Sequence, residues 1–537
     1  MLTIPLFSEM GRLLIFFLLM LMTWPMQANV TKRKDLNQDF FYPVRKEYIV
    51  NQNYDLKGKE IVIPEGCTLR LKKGSISNGT IRLSNNVTIE GNGAVCFPTS
   101  IVDKSNNITN KTFILAEGVS NISINNIVLK GSYHESMGNL PFRGKPTTDS
   151  EHLIYIGNCK NIKLSEVTIS NFYSNKVPAE WYKVYSSRQG LYPLLIHSSK
   201  DIEILNCKQR ESAGEAWNIF YSDSILIDDM DFTCKYGVSY LTIMYCNNVA
   251  VRNSRFVRKT AFKYDSGNLV NIFSSNVSFL ENIVDGGDYD WGNEHVNCQA
   301  TIDYRHNNFT ARNMTIENNQ FRGCKITNNT AKPKQGELSK YIVDDIIIRN
   351  NSFVNALMAM SFGARGGIKT ALIDGNVIEC SPTEHLSSQS RYQPIVAYNT
   401  CPNEIVLNNN TISSTEVVYK YSFKGPMGSI LINEGERITI SDNRIKGPFG
   451  IKYRGGAELT VKGNRIESYV PQTINVINGS LVYTDNILLY NRESDNTGIL
   501  VTGKRFKNTG NVYSTKVTDH MNSHVDTELI RNNVFTK

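Results

Sequence analysis

Long hydrophobic runs, proline and helical periodicity are all scarce in this chain. Proline occurs 16 times against 37 glycines in 537 residues, and apolar residues fall mostly in short alternating runs. One long run stands apart, Gly-Arg-Leu-Leu-Ile-Phe-Phe-Leu-Leu-Met-Leu-Met-Thr-Trp at 11–24, followed by Pro25-Met-Gln-Ala28. Its apolar core of about 12 residues is too short for a comfortable membrane span. A basic residue before it and small residues after it fit a secretory signal peptide over 1–28. No cysteine follows that cut, so no lipoprotein anchor is expected. The expected product is secreted, periplasmic or held at the cell surface, without stable membrane insertion.

Other absences narrow the function. There is no CxxC pair and no Cys/His cluster, which argues against a zinc site. Phosphate loop, dinucleotide fingerprint and Gly-x-Ser-x-Gly elbow are all missing. No cofactor is therefore required. The formal charge of +8 arises from 58 basic and 50 acidic residues. No Lys/Arg run tracks a phosphate backbone, so nucleic acid is not an expected partner. An acidic polysaccharide remains compatible with this charge.

What the chain does contain is a repeated phrase. Ser224-Ile-Leu-Ile-Asp-Asp-Met-Asp-Phe232, Asn248-Val-Ala-Val-Arg-Asn-Ser-Arg-Phe256 and Asn276-Val-Ser-Phe-Leu-Glu-Asn-Ile-Val284 share one pattern. Alternating apolar positions in so short a run describe a strand with one buried face. Indexed by its first apolar residue, the phrase recurs at Val87, Ile122, Ile162, Ile202, Ile225, Val249, Val277, Met314, Ile346, Ala371, Ile405, Ile438, Leu459 and Leu481. A spacing this short fits one coil of a solenoid. The phrase predicts an all-β solenoid of about 14 or more coils. Residues 29–60 are expected to form an N-terminal extension or cap, 61–500 the solenoid, and 501–537 a C-terminal coil or cap.

Asn, Asp or Gly follows most strands, at Asn126, Asn206, Asp228, Asn253, Asn319, Asn350, Gly375, Asn409, Asp442 and Gly463. These residues accept left-handed backbone angles, and stacked Asn amides can bond from coil to coil. Cys159 and Cys246 occupy the slot that Ser199 and Ser222 hold elsewhere, three residues before the phrase. The slot predicts an inward ladder of small side chains, with the thiols buried and unpaired.

With that pattern the chain resembles the right-handed parallel β-helix superfamily that includes pectate lyases, polygalacturonases and phage tailspikes. Ile61-Val-Ile-Pro-Glu-Gly66 and the Asn-rich later coils also look similar to secreted β-helix proteins of gut Bacteroidetes. The superfamily holds lyases, hydrolases, epimerases and adhesins, so fold alone leaves activity open. The polygalacturonase motifs Asn-Thr-Asp and Gly-His-Gly are missing.

The site is expected where coils swell. The gaps from Ile122 to Ile162 and from Ile162 to Ile202 are 40 residues, and from Val277 to Met314 the gap is 37. These inserts bring His152, Trp181, Tyr192, Trp291, Arg305 and His306, which with Trp217 are the expected sugar-binding residues. Rings cover sugar C–H faces, and charged groups take hydroxyls or uronates. For cleavage the candidates are Glu215 paired with Asp288, Asp290 or Glu294, since glycoside hydrolysis needs two carboxylates. His295 and His197 are candidate bases for a lyase reaction. His152, Tyr192, Glu215 and Ser239 share one slot and should stack along an edge. Asp288, Asp290 and Glu294 alternate as calcium ligands do, a candidate calcium loop. The expected activity is polysaccharide cleavage by carboxylate-based hydrolysis. The alternatives are a lyase acting on a uronate glycan and a non-catalytic glycan-binding or adhesive protein. Its expected state is a monomer or small homo-oligomer.

Overall fold

Strand pairing identifies the architecture. The computed structural model describes residues 41–42, 44–97, 112–130, 152–170, 193–210, 215–234, 239–258, 268–286, 298–304, 311–330, 343–355, 358–362, 368–380, 394–397, 403–414, 428–490, 498–514 and 521–536. Among these residues Phe41–Tyr42 lies antiparallel to Glu47–Val50. Every other strand pairing is parallel and joins one coil to the next. The chain is a right-handed parallel β-helix.

One coil shows the plan. Glu215–Phe220 makes the first face, Asp223–Asp228 the second and Asp231–Cys234 the third. Each face stacks on its counterpart in the next coil, at about 4.8 Å per step. The repeated phrase is the second face. Ile122, Ile162, Ile202, Ile225, Val249 and Val277 stand directly opposite one another in succession. Met314, Ile346, Ala371, Ile405, Ile438, Leu459 and Leu481 continue the same column. All of these side chains are buried. Alternation sends every second side chain inward, so each coil adds apolar surface to one continuous core.

Small residues line the bend between first and second faces. The Cys159 amide donates to Ser199 Oγ at 3.0 Å, and the Ser199 amide to Ser222 Oγ at 3.0 Å. The Ser222 amide donates to Cys246 Sγ at 3.3 Å, and the Cys246 amide to Ser274 Oγ at 3.1 Å. Cys159 and Cys246 are buried free thiols, as their shared slot predicted.

Asparagine closes the second bend. Asn282, Asn319, Asn351, Asn376, Asn410, Asn443, Asn464, Asn486 and Asn511 each receive the preceding ladder residue's backbone N–H on their side-chain oxygen. From Asn282 onward the amide Nδ2 also donates to the next Oδ1. The left-handed residue is the one before, such as Asn318, Asn350 and Asn409. Asn319, expected at the left-handed bend itself, is therefore a ladder residue one step inside it.

The inserts at 131–151, 171–192, 287–297 and 381–393 each leave the third face and return at the start of the first. The inserts themselves lie outside the described residues. Their arrival points make the outer surface of the first face the place to look for a site.

Candidate functional site

Glu117, Gly157, His197, Phe220, Met244 and Phe273 form one column at the end of the first face. Gly157 separates Glu117 from His197 and leaves room for its neighbours. A Cβ there would lie 2.2 Å from Glu117 Oε2 and 2.7 Å from the Tyr155 hydroxyl. The Glu117 carboxylate thus leans over Gly157 towards His197. It accepts a hydrogen bond from Asn158 Nδ2 at 2.7 Å and another from the Tyr155 hydroxyl. Burial and the Glu117 charge push the Tyr155 phenol up to about 12, so it stays protonated.

His197 is half-buried. Burial lowers its pKa from the ordinary 6.5, and the Glu117 charge opposes that only in part. The imidazole is therefore neutral at pH 7, with Nδ1 2.8 Å from Ser198 Oγ. One ring nitrogen of a neutral imidazole is a proton acceptor.

Beside it stands an aromatic shelf. The Tyr221 ring meets His197 edge-on at 5.3 Å and stacks on Tyr245 at 5.1 Å with 19° between planes. Tyr245 in turn meets Phe273 at 5.5 Å. Tyr221 is 56% exposed. Both tyrosines take left-handed angles, φ 51° and 59°, where the same bend elsewhere carries Asn158 and Ser198. That conformation costs a bulky residue about 1–2 kcal/mol, and strain of this kind gathers at functional sites. The exposed Tyr221 ring, backed by half-buried Tyr245, offers a flat face to sugar C–H groups.

Cations follow the bend. Lys160 and Lys200 are exposed and directly opposite each other in neighbouring coils. Lys200 Nζ lies 3.4 Å from Asp223, whereas Lys160 has no ion pair among the described residues. Just beyond, the second face carries an open groove of about 680 Å³ lined by Asn161, Lys163, Asp201, Glu203, Ser224 and Asn248 among others.

The outer surface of the first face is also polar. Leu195, Asn218, Thr242 and Asn271 share one outward column. Asn218 is fully buried, and neither atom of its amide has a hydrogen-bond partner. Such a group costs about 1–3 kcal/mol unless something polar meets it. Farther along, burial lowers the Lys325 ammonium to about 8.

Several sequence-predicted residues fall elsewhere. Trp217, expected at the sugar-binding surface, is a core residue with no exposure, its indole N–H donating to buried Gln209 at 2.8 Å. It stands opposite Leu194 and Leu241, both inward. His152 is only 7% exposed, its ring 5.8 Å from that of Tyr155; it packs into the face and does not open to a cleft. Glu215 begins a first-face strand opposite Ser239; only its backbone is described. Trp181, Tyr192, Asp288, Asp290, Trp291, Glu294, His295, Arg305 and His306 lie outside the described residues, and the candidate calcium loop with them. Among the described residues no group of three or more His, Cys, Asp or Glu side chains is placed to hold a metal. His197 is the sequence candidate that the structure places in a described cluster. Glu117, Tyr155, Tyr221 and Tyr245 were not foreseen. Two tyrosines in a slot that Gly118, Asn158 and Ser198 fill in the preceding coils were the available signal.

No protein-family model matches the sequence, and no curated protein is significantly similar to it. Solved structures similar to this chain include a periplasmic alginate epimerase at 8% identity and TM-score 0.25, covering 94% of this chain and 84% of that one. A PL6 family alginate lyase shows 9% identity and TM-score 0.28, covering 91% and 97%. The tailspike protein of E. coli bacteriophage HK620, in complex with a hexasaccharide, shows 10% identity and TM-score 0.29, covering 88% and 71%.

Proposed function

We propose that this protein is an exported polysaccharide-cleaving enzyme that binds a uronate-containing glycan across the bend of the first face and cleaves it by elimination. The observation that carries this reading is the half-buried His197 imidazole beside an aromatic shelf whose Tyr221 ring is exposed, with Lys160, which has no ion pair among the described residues, one step away. The Tyr221–Tyr245 shelf stacks a sugar ring, and Lys160 with Lys200 draws the uronate carboxylate. His197 removes the proton from the carbon beside that carboxyl group. The electron pair becomes a carbon–carbon double bond and the glycosidic oxygen leaves, taking its proton from the imidazolium. Glu117 and Tyr155 hold the wall of the site in place. Hydrolysis, the reading first drawn from the sequence, keeps one point of support, because strand register puts Glu215 on this same face.

The test is the pH profile of kcat/KM. The neutral imidazole is the active form, so activity falls as pH drops through the His197 pKa. That acid limb has its midpoint below 6.5, since burial lowers this group. His197→Gln should reduce kcat by roughly 10²–10⁴-fold and remove the limb. Full activity in His197→Gln would overturn the assignment.

A further inference from the structure

The solenoid mostly sets opposite charges against each other from coil to coil, Lys160 opposite Lys200 being the exception on the second face. Lys163–Glu203, Lys200–Asp223, Asp228–Arg252, Asp285–Arg322, Glu317–Arg349 and Glu404–Arg437 are ion pairs at 2.8–3.7 Å between directly opposed residues. The third face breaks this rule once. Arg444 stands directly opposite Arg465. Both are exposed, and neither guanidinium has an ion pair or hydrogen bond among the described residues. Like charges in opposed positions destabilise a sheet unless something neutralises them.

These two arginines border an open groove of about 890 Å³, which also takes in Lys446, Thr411, Ser413, Asp442 and Glu467. We propose that this groove is a second binding site, for a short stretch of acidic polysaccharide. It is separate from the His197 cluster, which lies on another face and on earlier coils. Two arginines on strands about 4.8 Å apart present paired donors to carboxylates. Thr411 and Ser413 supply hydroxyl partners on the neighbouring coil. Asp442 and Glu467 oppose the dense charge of a nucleic-acid backbone, and the lining has no aromatic ring for a base to stack on. The chemistry fits a sugar chain with spaced single charges.

The proposal deepens the functional reading by giving the same class of glycan a non-catalytic holding site. Its test uses the mature full-length chain in a His197→Gln background, so that the probe survives. Calorimetry measures binding of a size-defined oligogalacturonate, with a neutral cello-oligosaccharide of equal length as control. Adding Arg444→Gln and Arg465→Gln should weaken oligogalacturonate binding at least about tenfold, which is about 1.4 kcal/mol. The same oligomer should shield Lys446 from acetylation, and salt should weaken binding. Arg444→Lys with Arg465→Lys, which keeps charge but loses the fork, should fall between. Circular dichroism and melting temperature check that each variant folds. Affinity unchanged within about twofold, no shielding of Lys446, or equal binding of the neutral oligomer would overturn the proposal. If no glycan is ever cleaved but the arginine-dependent binding is found, the catalytic reading fails and this site stands.

Discussion

A tyrosine with φ of 51° is an expensive way to turn a bend that asparagine turns at lower cost. Tyr221 and Tyr245 both hold that position, so their rings return something other than stability. Tyr221→Asn relieves about 1–2 kcal/mol of backbone strain and loses about 0.5–1.5 kcal/mol of stacking. The two changes nearly cancel, so chemical denaturation should show a shift below about 1 kcal/mol. Glycan affinity should fall about tenfold or more. A melting-temperature loss as large as that of a core substitution would mean the ring is structural. Gly157 is the complementary case. The nearest atoms that Ala would meet there are the Glu117 carboxylate and the hydroxyl and ring edge of Tyr155, all side-chain atoms, so the fold should survive. The displaced carboxylate should lower kcat/KM by an order of magnitude or so, since a small misplacement can cost about 10²-fold. Unchanged kcat/KM in a folded Gly157→Ala variant would remove Glu117 from the site.

Ladders decide the strength of each coil. Asn410 Oδ1 accepts from both the backbone N–H and Nδ2 of Asn376, while its own Nδ2 donates to Ile373 O and to Asn443 Oδ1. Asn410→Ala strands several buried groups at about 1–3 kcal/mol each, so urea unfolding should show a loss of roughly 2–4 kcal/mol. One residue earlier, Asn409 supplies its left-handed angle and one long, exposed hydrogen bond from Nδ2 to Asp374 Oδ1 at 3.4 Å, and Asn409→Gly should change stability by less than about 1 kcal/mol. Equal losses at both positions would contradict the division between bend and ladder. This is also where sequence reading succeeds and where it slips. The apolar phrase set the coil register correctly from Val87 to Leu481 because a period of two leaves no freedom once one face is buried. Asn319 was placed at the bend and stands one residue inside it, since both positions favour asparagine and only backbone angles separate them.

For the whole molecule, the solenoid is legible and the site only in part. Repetition announces the fold many times over, whereas the site is built from single residues that depart from the repeat. Trp217 was misjudged because composition draws a tryptophan among carboxylates towards a sugar cleft. Its register with Leu194 and Leu241 sends it inward instead. The arginine pair at 444 and 465 could not be seen without register, because only stacking makes them neighbours. With bends and ladders placed, the described residues read as a column of stacked coils, and the proposed chemistry belongs to its first face. The most direct test of that claim is a screen of wild-type protein against neutral and uronate glycans, following reducing ends and the ultraviolet absorbance of unsaturated uronates together. Both signals should rise on uronate glycans, and neither should appear on neutral ones. Reducing ends without the unsaturated product would contradict elimination, and the absence of both signals on every glycan would contradict catalysis.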